Sequence, residues 1–115
     1  MGSEMCIRDS VRATLAPMFR HVVMMQLAES STDADLTAII DGLETLPGLV
    51  PEIVSYSVGR DLRAQEGTFD LVLVADFEDQ AGFDAYNANQ DHLDVIMTLI
   101  KPHLGARAAV QYSLG

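Results

Sequence analysis

The chain has 115 residues, enough for a single domain with one hydrophobic core. Hydrophobic residues make up 49% and charged residues 21%, so the composition is that of a folded chain rather than a disordered one. Seven basic against seventeen acidic residues give a net charge of −10, which argues against nucleic acid or an anionic membrane as a partner.

The first seventeen residues lack the basic, apolar and small-residue order of a signal peptide. Met1–Ser10 resembles the conceptual translation of a transposase adaptor used in sequencing-library preparation, which implies a metagenomic read. We therefore expect residues 1–17 to be a non-native, disordered leader and residues 18–115 to be the domain. The single cysteine, Cys6, lies in this leader, so neither an intrachain disulfide nor a multi-cysteine metal site is possible.

The first half of the domain predicts a strand, a helix and a second strand. Phe19–Leu27 is short and rich in β-branched and flexible apolar residues, which favours a strand. Thr32 is placed to cap a helix that stops at Pro47-Gly48. Ile53–Arg60 alternates apolar with small polar residues and predicts the second strand. The helix has apolar residues at helical spacing: Leu36, Ile39, Ile40, Leu43 and Leu46.

The second half predicts two more strands around a broken helix. Thr68–Phe77 is the strongest strand pattern, and Ala106–Leu114 closes the chain as a fourth strand. Between them, Asp79–Ala88 predicts a short helix, and Asp91 is expected to cap a new helical segment ending near Pro102. The expected apolar face of that last segment consists of Leu93, Ile96, Met97 and Ile100.

The order β-α-β-β-α-β predicts an α+β, ferredoxin-like protomer with a four-stranded antiparallel sheet and helices on one face. In the third strand Leu71, Leu73 and Ala75 point to one face, while Val72 and Val74 point to the other. Since two helices cover only one face, the other face is left apolar. We predict that a second copy covers it in a two-fold homodimer.

Several short motifs together resemble one known family. They are Arg20–Val23, Leu46–Gly48 with Pro51, Val58–Arg60, Phe77–Asp79, and Ala85-Tyr86 with Asp91-His92. The chain resembles stress-responsive α/β-barrel domain proteins of the dimeric α/β-barrel superfamily. That resemblance implies a ferredoxin-like protomer that pairs into a barrel.

The resemblance also implies candidate site residues. One relative, olivetolic acid cyclase, closes a polyketide chain without metal or organic cofactor, and its catalytic tyrosine and histidine correspond to Tyr86 and His92. His21 corresponds to a family histidine on the first strand. Asp70 stands where the cyclase has a strand histidine, and Asn89 replaces the first histidine of its His-Pro-x-His segment. These two departures argue against the same substrate, and both residues are candidate lining of the ligand pocket.

Two interpretations of these residues remain open from the sequence. In one, His92 takes a proton next to a carbonyl and Tyr86 hydrogen-bonds the developing enolate. In the other, Tyr86 is a core aromatic with its hydroxyl at the surface, and His92 supports a helix start. His21 is either a buried, hydrogen-bonded histidine or a pocket ligand. Asp70 either starts its strand near solvent or pairs with Arg20, Arg60 or His21.

The sequence predicts no cofactor and no metal, since familiar ligand spacings and phosphate loops are missing from it. The expected ligand is a small apolar or aromatic molecule, and the expected location is the cytoplasm, because no apolar run is long enough for a membrane span. Three functions remain possible: a cofactor-free cyclase, lyase or isomerase; a non-enzymatic, stress-related binding protein; or a cofactor-free monooxygenase of the antibiotic-biosynthesis type.

Overall fold

The computed structural model describes residues 18–114, so the expected leader over residues 1–17 lies outside the described residues. The predicted order β-α-β-β-α-β is confirmed, with the second helical region divided into two helices. The strands are β1 (Met18–Leu27), β2 (Ser55–Arg60), β3 (Leu71–Phe77) and β4 (Leu104–Leu114). The helices are α1 (Asp33–Glu44), α2 (Gln80–Ala88) and α3 (Gln90–Val95). None of the helices within residues 18–114 is long and apolar enough to cross a membrane.

Helix α1 begins at the predicted cap. The Thr32 hydroxyl accepts a hydrogen bond from the backbone N–H of Asp35 at 3.2 Å, and the Asp35 carboxylate accepts one from the Thr32 N–H at 2.8 Å. This reciprocal capping satisfies two of the N–H groups that a helix start leaves unpaired. The buried face of the helix carries Leu36, Ile39 and Leu43, as the apolar spacing predicts.

The four strands form one antiparallel sheet in the order β2–β3–β1–β4. Its helix-covered face carries the core, because alternate residues of β1 and β3 point toward α1. The buried apolar residues on these two strands are Val23, Met25, Leu71, Leu73, Ala75 and Phe77.

The other face of the sheet, which we call the open face, has no helix against it among the described residues. Three valines lie side by side across it, since Val22 pairs with both Val74 and Val110. Met24 and Val72 pair in the next row and are 43% and 36% exposed. The expectation of an uncovered apolar sheet face is therefore met within the protomer.

The open face also carries an ion pair between a half-buried arginine and a buried aspartate. Both guanidinium nitrogens Nε and Nη2 of Arg20 donate to the Asp76 carboxylate, at 2.7 and 2.9 Å, and the Ser55 hydroxyl donates to the same carboxylate at 2.6 Å. Arg20 and Asp76 lie opposite each other on β1 and β3. The geometry is bidentate, which lowers the pKa of the Asp76 carboxyl through the Arg20 hydrogen bonds.

The start of the last helical region differs from the sequence-based expectation. Asn89, rather than Asp91, caps α3: its side-chain oxygen accepts from the Asp91 N–H at 2.8 Å. The expectation of an Asp91 cap is wrong, because the cap lies two residues before Asp91.

The apolar face of the last helical region also differs. Leu93 and Met97 are exposed, and the packed positions are His92, Ile96 and Ile100. Residues 96–100 form a π-helical turn, whose wider spacing shifts the phase of the residues that follow. A face predicted from uniform α-helical spacing was therefore partly wrong.

Candidate functional site

A cavity of about 210 Å³ lies between the helix-covered face of the sheet and the last helical region. Most of its wall is apolar, and its polar side chains come from four different elements. The lining residues with polar side chains are His21, Tyr86, Asn87, His92 and Arg107. The volume lies below the roughly 300–1,000 Å³ of sites for drug-sized ligands, so the cavity suits a small molecule.

Tyr86 and His92 converge at this cavity although they are six residues apart. Asn89 has an extended backbone with ψ 133°, which ends α2 and turns the chain before α3 begins. As a result the two rings lie nearly face to face, with centroids 4.0 Å apart and planes inclined by 34°. On one continuous helix the same spacing would have placed the residues on different faces.

His92 is 92% buried, and its Nδ1 has no hydrogen-bond partner among the described residues. Burial lowers the pKa of His92, the backbone carbonyl of Asn87 opposes that effect, and the charge of Arg107 adds to it. The ring is therefore neutral at pH 7, which leaves a lone pair free to accept a proton. Burial is therefore the main cause of the neutral ring.

His21 is also buried in the wall of the cavity. Its Nδ1 lies 2.8 Å from the Gln111 side-chain amide on β4, and its ring packs against Phe83 with centroids 4.7 Å apart. Burial is the main reason that the pKa of His21 falls to about 4. His21 therefore combines both sequence-based interpretations, since it is hydrogen-bonded within the core and also faces the cavity.

The Tyr86 hydroxyl is buried rather than at the surface. It lies 3.0 Å from the hydroxyl of Tyr56 on β2, and either group can be the donor. Burial raises the pKa of both phenols, so both stay protonated at neutral pH. When Tyr56 donates to Tyr86, the proton of the Tyr86 hydroxyl is free to bind another acceptor.

The structure places the two remaining candidate residues away from the cavity wall. Asp70 precedes β3, where its carboxylate accepts from the Leu27 N–H at 2.7 Å and from Arg63 at 2.5 Å. Arg63 is not one of the partners that the sequence suggested for Asp70. Asn89 caps α3, as described above, and Asn87 is the asparagine that lines the cavity.

Sequence reasoning did not single out Tyr56, Gln111 or Arg107. Strand alternation gives the face on which each residue lies relative to its neighbours. It does not give the register of β4 against β1, which pairs Gln111 with His21 and Arg107 with Met25. Only that register brings Gln111 to His21 and Arg107 to the cavity.

Acidic groups are plentiful in the chain, but they do not assemble into a metal centre within residues 18–114. No group of three or more His, Cys, Asp or Glu side chains is arranged there to hold a metal ion. The acidic residues nearest the candidate site in sequence, Asp91 and Asp94, are both exposed.

The sheet order, the helices on one face and the cavity between them define a ferredoxin-like α+β protein with a small internal cavity. A family model described as "Stress responsive A/B Barrel Domain" matches residues 19–114. The chain belongs to the stress responsive A/B barrel domain family. None of the curated proteins compared with the chain matches it.

Solved structures support the same fold. A dimeric ferredoxin-like protein of unknown function from Thermobifida fusca YX is 32% identical, with a TM-score of 0.79 over 86% of this chain and 92% of that one. The hydroxynitrile lyase from Passiflora edulis is 17% identical, with a TM-score of 0.76 over 87% and 95% of the two chains. A Dabb family protein from Mesorhizobium loti is 18% identical, with a TM-score of 0.70 over 84% and 95%.

Proposed function

We propose that this protein binds a small, largely apolar carbonyl compound in the cavity and catalyses a cofactor-free proton transfer on it. The observation that carries this proposal is the unpartnered Nδ1 of His92, buried beside Tyr86 in the wall of the cavity. A buried polar atom without a hydrogen-bond partner costs free energy. The buried Nδ1 of His92 is therefore expected to hydrogen-bond to a bound ligand.

In the proposed step, neutral His92 takes a proton from the carbon next to the carbonyl. The electron pair of the broken C–H bond moves onto the carbonyl oxygen, and the Tyr86 hydroxyl donates a hydrogen bond to that enolate. Tyr56, 3.0 Å from Tyr86, donates in turn to the Tyr86 oxygen. Return of the proton to another carbon completes an isomerisation. In a cyclisation the enolate carbon attacks a second carbonyl carbon of the same molecule, whose oxygen then takes the proton from His92. In a lyase reaction the enolate expels the group bonded to its β-carbon, and that leaving group takes the proton from His92.

The comparisons are compatible with this chemistry without specifying it. The Passiflora edulis neighbour is named a hydroxynitrile lyase, so a similar fold accommodates lyase chemistry at a sequence identity of 17%. A non-enzymatic binding role is the alternative. It is favoured by the Tyr86 hydroxyl, which already has a buried partner in Tyr56.

Deuterium exchange tests the proton transfer without knowledge of the natural substrate. Acetophenone and phenylacetone are incubated with the protein in D2O, and loss of the proton signals next to the carbonyl is followed by NMR. Wild type should accelerate exchange, and His92→Gln should lower the protein-dependent rate by about 100-fold or more. Because the pKa of His92 is lowered, the rate should persist below pH 6.5 and fall once the ring is protonated.

His103→Gln is the matched control, since this histidine lies outside the cavity near Ser31 and Asp35. It should retain the wild-type rate. Equal exchange by wild type and His92→Gln would overturn the catalytic role. Probe binding without protein-dependent exchange would favour the non-enzymatic role instead.

We also propose that the protein is a homodimer formed through its open face. The apolar row of half-buried Val22 and Val74 and exposed Val110 needs a partner, and a wide depression of about 600 Å³ beside Met24 and Val72 continues it. Related structures from Thermobifida fusca, Bacteroides fragilis and Jannaschia are described as dimeric. A second copy of the chain is therefore the partner that best fits the open face.

Sedimentation of wild type and Val110→Asp at micromolar concentration tests the dimer. Val110 is 55% exposed in the protomer, so the substitution is compatible with a folded monomer. Wild type should sediment as a dimer and the variant as a monomer with unchanged circular dichroism. Glu44→Gln, on the exposed side of α1, should leave the dimer intact. A monomeric wild type would contradict the proposal.

A further inference from the structure

Arg107 is a basic side chain placed where no carboxylate of the described chain neutralises it. It projects from β4 on the helix-covered face, opposite Met25, and lines the cavity together with His21 and His92. Of the four arginines within residues 18–114, Arg107 is the one that forms no ion pair there. The others pair with Asp76, Asp33, Asp61 and Asp70.

This placement is notable because the protein is strongly acidic. The chain has seventeen acidic and seven basic residues, so a basic side chain readily finds a carboxylate. The cavity wall, however, contains no Asp or Glu. Arg107 is exposed to solvent as well as lining the cavity, and its charge reaches the cavity wall, where it lowers the pKa of both His21 and His92.

The other polar groups of the wall are uncharged at neutral pH. Burial lowers the pKa of both histidines and raises the pKa of Tyr86, so the imidazoles and the phenol are neutral there. A ligand that reaches this cavity thus meets an apolar wall, neutral hydrogen-bonding groups and one guanidinium. A guanidinium binds a carboxylate through two parallel N–H bonds.

We infer that the ligand of this cavity is a small aromatic or short-chain carboxylate that also carries the carbonyl group of the proposed reaction. Its anionic group is bound by Arg107, and its apolar part lies against His92 and Leu73. This inference names the substrate class of the proposed function and depends on it. An apolar cavity of about 150 Å³ is enough for benzene, so about 210 Å³ admits one ring with a small substituent.

Three probes of similar shape and different charge test the inference: phenylacetate, phenylacetamide and phenethylamine. Binding is measured by ¹H–¹⁵N NMR of the histidine rings at pH 7. Phenylacetate should bind wild type about tenfold more tightly than phenylacetamide, and phenethylamine should bind most weakly. Arg107→Gln should reduce the preference for the anion to less than twofold, whereas Arg107→Lys should retain part of it.

Lys101→Gln is the matched control, because Lys101 is an exposed basic residue outside the cavity wall. It should keep the wild-type preference, which excludes a general effect of net charge. Arg107→Gln without ligand should also raise the pKa of His21 above its value of about 4, because a positive charge has been removed. That readout checks that the variant acts on the cavity rather than on the fold.

The outcomes separate this inference from the function on which it rests. If all three probes perturb the ring of His92 with similar affinity, and Arg107→Gln changes nothing, the cavity binds small molecules but the carboxylate class is wrong. If none of the probes perturbs His21 or His92 at millimolar concentration, the carboxylate inference is overturned. If acetophenone and phenylacetone also fail to bind, the proposed function is overturned together with the carboxylate inference.

Discussion

The two faces of the sheet are built from the same strands, but they treat polar groups differently. On the helix-covered face the buried polar side chains of His21, Tyr86 and His92 are uncharged. On the open face Arg20 and Asp76 are charged and paired. Both arrangements avoid the free-energy cost of an isolated buried charge. Only the uncharged groups of the helix-covered face keep hydrogen-bond donors and acceptors free for a ligand.

Adjacent residues of β3 give the largest contrast between the faces. Leu73→Ala removes a buried side chain from the helix-covered face and should lower the free energy of unfolding by about 2–5 kcal/mol. Val72→Ala, on the open face, should lower the free energy of unfolding by less than about 1 kcal/mol. Both substitutions are measured by urea unfolding in the monomeric Val110→Asp variant. Equal costs would mean that the faces are packed alike.

The tyrosine pair gives the next largest effect. Tyr56→Phe leaves the fully buried Tyr86 hydroxyl without its partner and should destabilise the protein by about 1–3 kcal/mol. The double variant with Tyr86→Phe should recover much of that loss, since both polar groups are then gone. Asp41→Asn, on the exposed side of α1, is the control and should change stability by less than about 0.5 kcal/mol. No recovery in the double variant would argue against the pair.

Acid unfolding should reveal the ion pair of the open face. The folded-state pKa of Asp76 is lowered, so its contribution to stability is complete above the unfolded-state pKa of about 3.8 and is lost as the pH falls below it. Asp76→Asn should therefore be less stable than wild type at pH 7 and should lose less stability between pH 4 and pH 2. Asp41→Asn, on the exposed side of α1, should follow the wild-type curve.

The smallest perturbation is a titration of the wild-type histidines by NMR. His21 should titrate near pH 4 and His92 below 6.5, because burial disfavours both imidazolium forms. In concentrated urea both should titrate near 6.5. Folding then stabilises the neutral rings, so this contribution is present above pH 6.5 and is lost as the pH falls toward 4. Unshifted values in the folded protein would contradict the burial of the cavity wall.

The sequence predicted the fold well because its signals are local. The Thr32 cap, the apolar spacing of α1 and the alternation in β3 each depend on neighbours a few residues away. The last helical region was less predictable, since polar His92 takes the buried position beside exposed Leu93, and Met97 lies in a π-helical turn over residues 96–100. Tyr86 and His92 were suggested by the family resemblance rather than by their spacing.

By itself, the sequence determined the order of the elements, the acidic character and the apolar nature of both sheet faces, because periodicity and composition act along the chain. Tertiary structure alone decided which polar groups meet. The extended backbone at Asn89 turns His92 toward Tyr86, and the register of β4 on β1 brings Arg107 to the same cavity. The placement of Arg107 depends on the pairing of strands distant in sequence, and the contact of His92 with Tyr86 depends on the direction of the chain at Asn89. Apolar periodicity encodes neither of them.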